Sequence, residues 1–152
     1  MRREFLECLL MRRVARVIAT LTAGFAAAAP LPAPPPLHQG WIVTKADHTR
    51  CLTGGAIGSI LRVLPCSNET PGQNWFQAST GKFYNGENCI RAEGAVVRVA
   101  ACDGTDPAQE WWFVDVIRSG RYGPCLTEEN SSGTVRLRDC TWRRNQKWRS
   151  TS

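Results

Sequence analysis

The sequence predicts an all-β domain assembled from three copies of one unit. The first observation is the rhythm of its cysteines: behind residue 38 they fall at Cys51 and Cys66, Cys89 and Cys102, Cys125 and Cys140, with spacings of 15, 13 and 15 residues. The second is what surrounds them. Each first cysteine precedes an aliphatic residue (Leu52, Ile90, Leu126), and each second one follows an apolar-Arg-apolar triplet: Leu61-Arg62-Val63, Val97-Arg98-Val99 and Val135-Arg136-Leu137. The third is a Gln-x-Trp motif after each second cysteine, at Gln73 and Trp75, Gln109 and Trp111, Gln146 and Trp148. Tryptophan is rare, and three of them 36 and 37 residues apart mark an internal repeat. Nine Pro and 13 Gly, with short β-branched runs and no sustained helical period, place the repeat in strands and turns.

Taken in chain order, residues 1–29 read as a secretory signal peptide. Arg12, Arg13 and Arg16 form a basic start, and Val17 to Ala29 carries no charge and ends in four alanines. That run is short for a bilayer core of roughly 30 Å. A retained anchor helix is the alternative, and Met11 is an alternative start. Residues 30–38 contain Pro30, Pro32, Pro34, Pro35 and Pro36, a composition that favours a stiff polyproline II linker.

Residues 39–152 form the expected domain, with repeats at about 39–75, 75–111 and 111–148. The net charge is +6. Five arginines and two glutamates before residue 38 take half of it, leaving the domain 14 basic and 11 acidic groups, or +3. So mild a balance argues against a nucleic-acid partner. Apolar-Arg-apolar is period-two alternation, with two side chains inward and one Arg outward on a half-buried strand. Trp75-Phe76-Gln77 and Trp111-Trp112-Phe113 begin further strands, and Trp41-Ile42-Val43 reads as the same strand opening the first repeat. Gly54-Gly55, Asn85-Gly86 and Asp103-Gly104 supply turns. One such unit cannot bury its apolar face, whereas three can close into a barrel with a cap.

Six cysteines behind a signal peptide point to an oxidising compartment, and hence to a secreted, extracellular protein. In the abstract they allow 15 connectivities; the short spacings narrow the choice. Cys8 lies in the removable segment. No Cys-x-x-Cys occurs and only His38 and His48 are present, so neither a metal site nor a cofactor is expected.

Three copies of Cys-aliphatic, 13–15 residues, Cys and Gln-x-Trp resemble the ricin B-type lectins over the whole expected domain. The resemblance implies a β-trefoil of twelve strands with pseudo-threefold symmetry and disulfides inside each repeat, Cys51–Cys66, Cys89–Cys102 and Cys125–Cys140. It implies that Trp75, Trp111 and Trp148 are core and that the Gln residues tie down backbone. It further implies carbohydrate binding, with an Asp two residues after the first cysteine, an aromatic two before the second and an Asn just before the Gln. Here the Asp position holds Thr53, Arg91 and Thr127. The aromatic position holds Leu64, Ala100 and Arg138, and the Asn position Gly72, Ala108 and Asn145.

Repeat three is therefore the candidate binding site, formed by Thr127, Arg138, Trp142, Asn145 and Gln146. Trp142 has no part in a Gln-x-Trp motif. Flanked by Arg143 and Arg144, it either stacks on a sugar and places cations beside an acidic or sulfated group, or packs on its neighbour's edge. The expected function is a secreted carbohydrate-binding module with no stable membrane insertion. The alternative is a protein-binding trefoil, a toxin delivery subunit or an inhibitor, without sugar binding. Catalysis is not expected: no Ser-His-Asp set, Gly-x-Ser-x-Gly motif or phosphate-binding glycine loop is visible.

Overall fold

A computed structural model describes residues 37–151. The expected signal peptide and most of the Pro-rich linker lie outside them. Twelve strands follow in order: β1 (His38–Thr44), β2 (Arg50–Thr53), β3 (Arg62–Pro65), β4 (Asn74–Gln77), β5 (Phe83–Asn85), β6 (Asn88–Glu93), β7 (Val96–Ala101), β8 (Trp111–Phe113), β9 (Ile117–Ser119), β10 (Cys125–Glu128), β11 (Val135–Arg138) and β12 (Trp148–Thr151).

Six of them form a ring. β1 pairs with β4, β4 with β5, β8 with β9, and β12 returns to β1. Single contacts complete the circle: Trp111 N–H donates to Gly81 O at 3.0 Å between β8 and the start of β5, and Trp148 N–H to Asp115 O at 2.9 Å between β12 and the start of β9. Within the ring β1 serves two neighbours, β4 over its first half and β12 over its second. The changeover falls at Gly40, at φ +100, where a Cβ would lie 2.1 Å from Thr151 O; only glycine fits there.

The other six strands form three hairpins, β2–β3, β6–β7 and β10–β11. They join one another through three equivalent hydrogen bonds of 2.9 Å, Val63 N–H to Gly133 O, Val99 N–H to Ser59 O and Leu137 N–H to Ala95 O. Leu61 N–H to Val97 O (2.9 Å) and Gly58 N–H to Val99 O (2.7 Å) add to the contact between the first two hairpins. A six-stranded barrel capped by a triangle of hairpins is a β-trefoil. The alternation of the Arg triplets is realised as expected: Leu61, Val63, Val97, Val99, Val135 and Leu137 are buried, while Arg62 and Arg136 are exposed and Arg98 half-buried.

The core is filled by equivalent trios. Leu52, Ile90 and Leu126 form one layer, Ile42, Phe83 and Ile117 another, and Trp75, Trp111 and Trp148 a third. Each of these tryptophans donates its indole N–H to the carbonyl of the aliphatic residue after the first cysteine, Leu52, Ile90 and Leu126, all at 3.0 Å. The ring is thus buried without an unpaired donor. The disulfides join Cys51 to Cys66, Cys89 to Cys102 and Cys125 to Cys140, each at the open end of its own hairpin.

One strand departs from expectation. Trp41 does not correspond to Trp75. Ile42, beside it, takes the place held by Phe83 in β5 and Ile117 in β9, and β1 pairs with the tryptophan strand β12 rather than repeating it. The Gln-x-Trp strand closes each four-stranded unit instead of opening the next. A ring that returns on itself has no natural first strand, and period-two alternation alone does not separate two neighbouring barrel strands.

Candidate functional site

The buried glutamines build the platform on which the loops stand. Gln73 accepts from Ser67 N–H at 2.9 Å, and its amide donates to Pro65 O and Thr53 Oγ1, both at 3.0 Å. Gln109 accepts from Asp103 N–H at 2.9 Å and donates to Ala101 O at 2.8 Å. Gln146 accepts from the N–H groups of Thr141 (2.7 Å) and Trp142 (3.1 Å) and donates to Asp139 O (2.8 Å) and Thr127 Oγ1 (3.0 Å). In every repeat one amide side chain clamps the two flanks of the second cysteine. A short 3-10 turn, Pro107–Gln109 in repeat two and Arg144–Gln146 in repeat three, delivers it.

The positions where the resemblance places sugar contacts are engaged internally. Thr53 and Thr127 are buried, and their hydroxyls donate to Cys51 O (2.9 Å) and Cys125 O (3.0 Å) while accepting from the glutamines. Gly72 sits at φ +82 with its Cβ direction 2.2 Å from Gly54 O, so no side chain fits there. In repeat two Arg91 holds Asp106 at 2.7 Å and Glu93 at 2.9 Å. The Arg91 hydrogen bond, aided by Ala108 N–H, keeps the Asp106 carboxyl below its ordinary range.

In repeat three the structure divides the five candidate residues. Thr127 and Gln146 lie behind the surface, with their polar atoms bonded inward. Arg138 is exposed and pairs with Glu129, which also holds Arg136 at 3.3 Å. Asn145 is half-buried, and its amide donates to Glu128 O at 3.1 Å. Glu128 itself is buried and pairs across the repeat boundary with Arg50 at 2.7 Å; burial pushes its carboxyl pKa up and Arg50 opposes the shift. Trp142 is half-exposed and is the one non-glycine residue of the described chain with positive φ, +58. Such a conformation is costly for a bulky side chain and persists where surroundings impose it. Here the Gln146 carbonyl oxygen holds the N–H groups of Thr141 and Trp142 together at this turn.

Sequence reasoning missed the neighbours of Trp142. The Arg118 guanidinium, on β9, lies over the Trp142 ring at 5.5 Å. Trp112, directly opposite Arg118 on β8, lies under Arg121 at 5.3 Å, and Arg121 also covers Tyr122 at 5.5 Å. One signal was available: a strand that buries Trp111 and Phe113 must turn Trp112 outward. Arg118 and Tyr122 border a cleft of about 390 Å³ floored by Gly123, Pro124 and Cys140, with Asp139 at its edge. Among the described residues, Arg118, Arg121, Arg143, Arg144 and Arg149 make no ion pair, whereas the arginines of repeats one and two each hold a carboxylate or a backbone carbonyl.

The sequence matches the family model of the ricin-type β-trefoil lectin domain over residues 38–148. Comparison with curated protein sequences gave no match. Among solved structures, the fold is similar to the β-trefoil lectin of the Vibrio vulnificus hemolysin/cytolysin with N-acetyl-D-lactosamine bound, at 15% identity and TM-score 0.62, over 75% of this chain and 93% of that one. It is similar to cytolethal distending toxin from Actinobacillus actinomycetemcomitans at 23% identity and TM-score 0.63, over 76% of this chain and 91% of that one. It is also similar to part of GalNAc-T7, solved with UDP, GalNAc and Mn2+, at 20% identity and TM-score 0.68. That match covers 79% of this chain but spans only 24% of the GalNAc-T7 chain. At these identities the likeness is one of fold.

Proposed function

The chain belongs to the ricin-type β-trefoil lectin family, and from that premise we propose that it is a secreted carbohydrate-binding module whose binding surface lies in the third repeat, around Trp142. The observation that carries this reading is the presentation of Trp142: half-exposed, at φ +58, on a loop fixed from below by the buried Gln146 amide. A pyranose has one apolar face and a rim of hydroxyls, so it needs a flat apolar partner and fixed polar groups. Trp142 supplies the first. Asn145 and the cleft edge at Asp139 supply the second. A loop already held in place lowers the ordering cost of binding.

In repeats one and two the position of Trp142 holds Asn68 and Gly104, which offer no ring, and the expected polar positions are taken up by the Gly54–Gly72 backbone contact and the Arg91–Asp106 ion pair. That closure also motivates a protein-binding trefoil as the second reading. Against it, the exposed aliphatic residues Leu37, Ile57, Ile60 and Val114 come from three separate stretches of the chain. The three disulfides support an oxidising, extracellular setting. No helix of the described residues is long and apolar enough to cross a membrane. No catalytic step, metal or cofactor is part of this reading.

The test is a glycan array probed with wild type and Trp142→Ala. Wild type is expected to give saturable signals. The variant, folded by circular dichroism, should bind at least tenfold more weakly, which corresponds to about 1.4 kcal/mol. A silent wild type contradicts the carbohydrate reading; a variant that binds as well as wild type moves the site away from Trp142.

A further inference from the structure

We propose that the outer face of β8 and β9, together with the Trp142 loop, forms one strip that recognises an anionic group, sulfate or carboxylate, on an oligosaccharide. The inference rests on the carbohydrate reading above and adds the charge of the ligand. It stands on three observations that meet at one place.

The first is exposure. Trp112, Tyr122 and Trp142 are 47%, 83% and 50% exposed, and among the described residues no other Phe, Tyr or Trp is exposed. The second is order. Arg118 lies over Trp142, faces Trp112 across the β8–β9 pair, and Arg121 lies over both Trp112 and Tyr122. Rings and guanidinium groups therefore alternate along the strip. The third is charge: neither Arg118 nor Arg121 makes an ion pair among the described residues, although Arg91, Arg98, Arg136 and Arg138 all do.

A guanidinium stacked on a ring is held in orientation while its N–H edge stays free, and that edge matches a carboxylate or sulfate in bidentate fashion. The exposed ring beside it offers a stacking face for the sugar that carries the anion. The clefts flanking the strip favour a glycan over a nucleic acid. One, bordered by Arg118 and Tyr122, has Asp139 at its edge; the other, about 190 Å³ and bordered by Trp112 and Arg121, has Glu110. Carboxylates accept hydrogen bonds from sugar hydroxyls and repel a continuous phosphodiester backbone.

Isothermal titration of the purified protein tests this with four probes of similar length: a heparin-derived oligosaccharide, an oligogalacturonate, a neutral galacto-oligosaccharide and oligothymidylate. At least one acidic oligosaccharide should bind ten times more tightly than the neutral one, and the preferred acid assigns sulfate or carboxylate. That advantage should shrink in about 0.5 M salt, where screening reaches only a few ångströms. Arg118→Gln with Arg121→Gln should reduce the acidic-to-neutral ratio to about one, while Arg62→Gln in the hairpin cap leaves it unchanged. The salt titration of wild type reads the same charge dependence without any substitution. Equal affinity for acidic and neutral probes overturns the proposal and leaves the carbohydrate reading standing. Oligothymidylate binding as tightly as the acidic oligosaccharides overturns it in favour of a general polyanion surface. Failure of every oligosaccharide to bind removes the carbohydrate reading as well.

Discussion

Reducing all three disulfides is expected to unfold the domain at 37 °C. Each bridge closes a loop of 13 or 15 residues at the open end of one hairpin. By the chain-entropy argument such a loop is worth roughly 3 kcal/mol, so three are worth roughly 9 kcal/mol. Domains of this size have a net stability of about 5–15 kcal/mol. Beyond the bridge, each open end is held by a short pairing of its first cysteine with a barrel strand, Cys51 with Val43, Cys89 with Tyr84 and Cys125 with Arg118, and each hairpin meets its neighbours through only a few backbone hydrogen bonds. The bridges should not open together: Cys102 is exposed, whereas Cys51, Cys89 and Cys125 are buried and Cys66 and Cys140 half-buried. Cys89–Cys102 is therefore expected to be reduced first. Removing one bridge should lower the unfolding midpoint by roughly 10 °C. Calorimetry after stepwise reduction, with free thiols counted by alkylation and mass, checks this. An unchanged midpoint in fully reduced protein would contradict it.

Trp148→Ala should cost about 3–5 kcal/mol, the usual range for removing a buried aromatic side chain. The ring is almost wholly buried, and its N–H holds Leu126 O at 3.0 Å. Truncation leaves both a cavity and an unpaired carbonyl. Trp75 and Trp111 make the same bond to Leu52 and Ile90, so their alanine variants should fall within about 1 kcal/mol of the first. Trp142→Ala, at an exposed position, should change stability by well under that amount. Urea unfolding followed by far-UV circular dichroism gives these values directly. A loss below about 1 kcal/mol at any of the three core tryptophans would show that the repeats are not equivalent in the way their hydrogen bonds indicate.

How far the sequence could be read follows from what each residue does. Gln-x-Trp was legible because a large ring and a buried amide, three times in one register, have few other uses. The Arg triplets were legible because alternation with period two states which side chains turn inward. Thr127 was harder: a hydroxyl where the resemblance implies a carboxylate can face either way, and only the position of Gln146 behind it decides the direction. Arg91 shows the same position answered differently, since a guanidinium cannot accept from Gln109 and turns instead to Asp106. The aromatic strip was largely invisible, because only the β8–β9 pairing brings Trp112 beside Arg118, and only the fixed Trp142 loop brings Trp142 to Arg118 from elsewhere in the chain. Trp41 misled for the opposite reason, being a tryptophan on a barrel strand next to, but not equivalent to, the one that carries the motif.

Indole N–H signals give a direct test of where a ligand binds. The chain has six tryptophans, and three of their N–H groups are locked to carbonyls in the core. In a nitrogen-15 correlation spectrum titrated with a bound oligosaccharide, the signals of Trp142 and Trp112 should shift and those of Trp75, Trp111 and Trp148 should stay in place. Saturable binding that leaves Trp142 unmoved, or that shifts Trp41 instead, would contradict the assignment of the third repeat as the binding face.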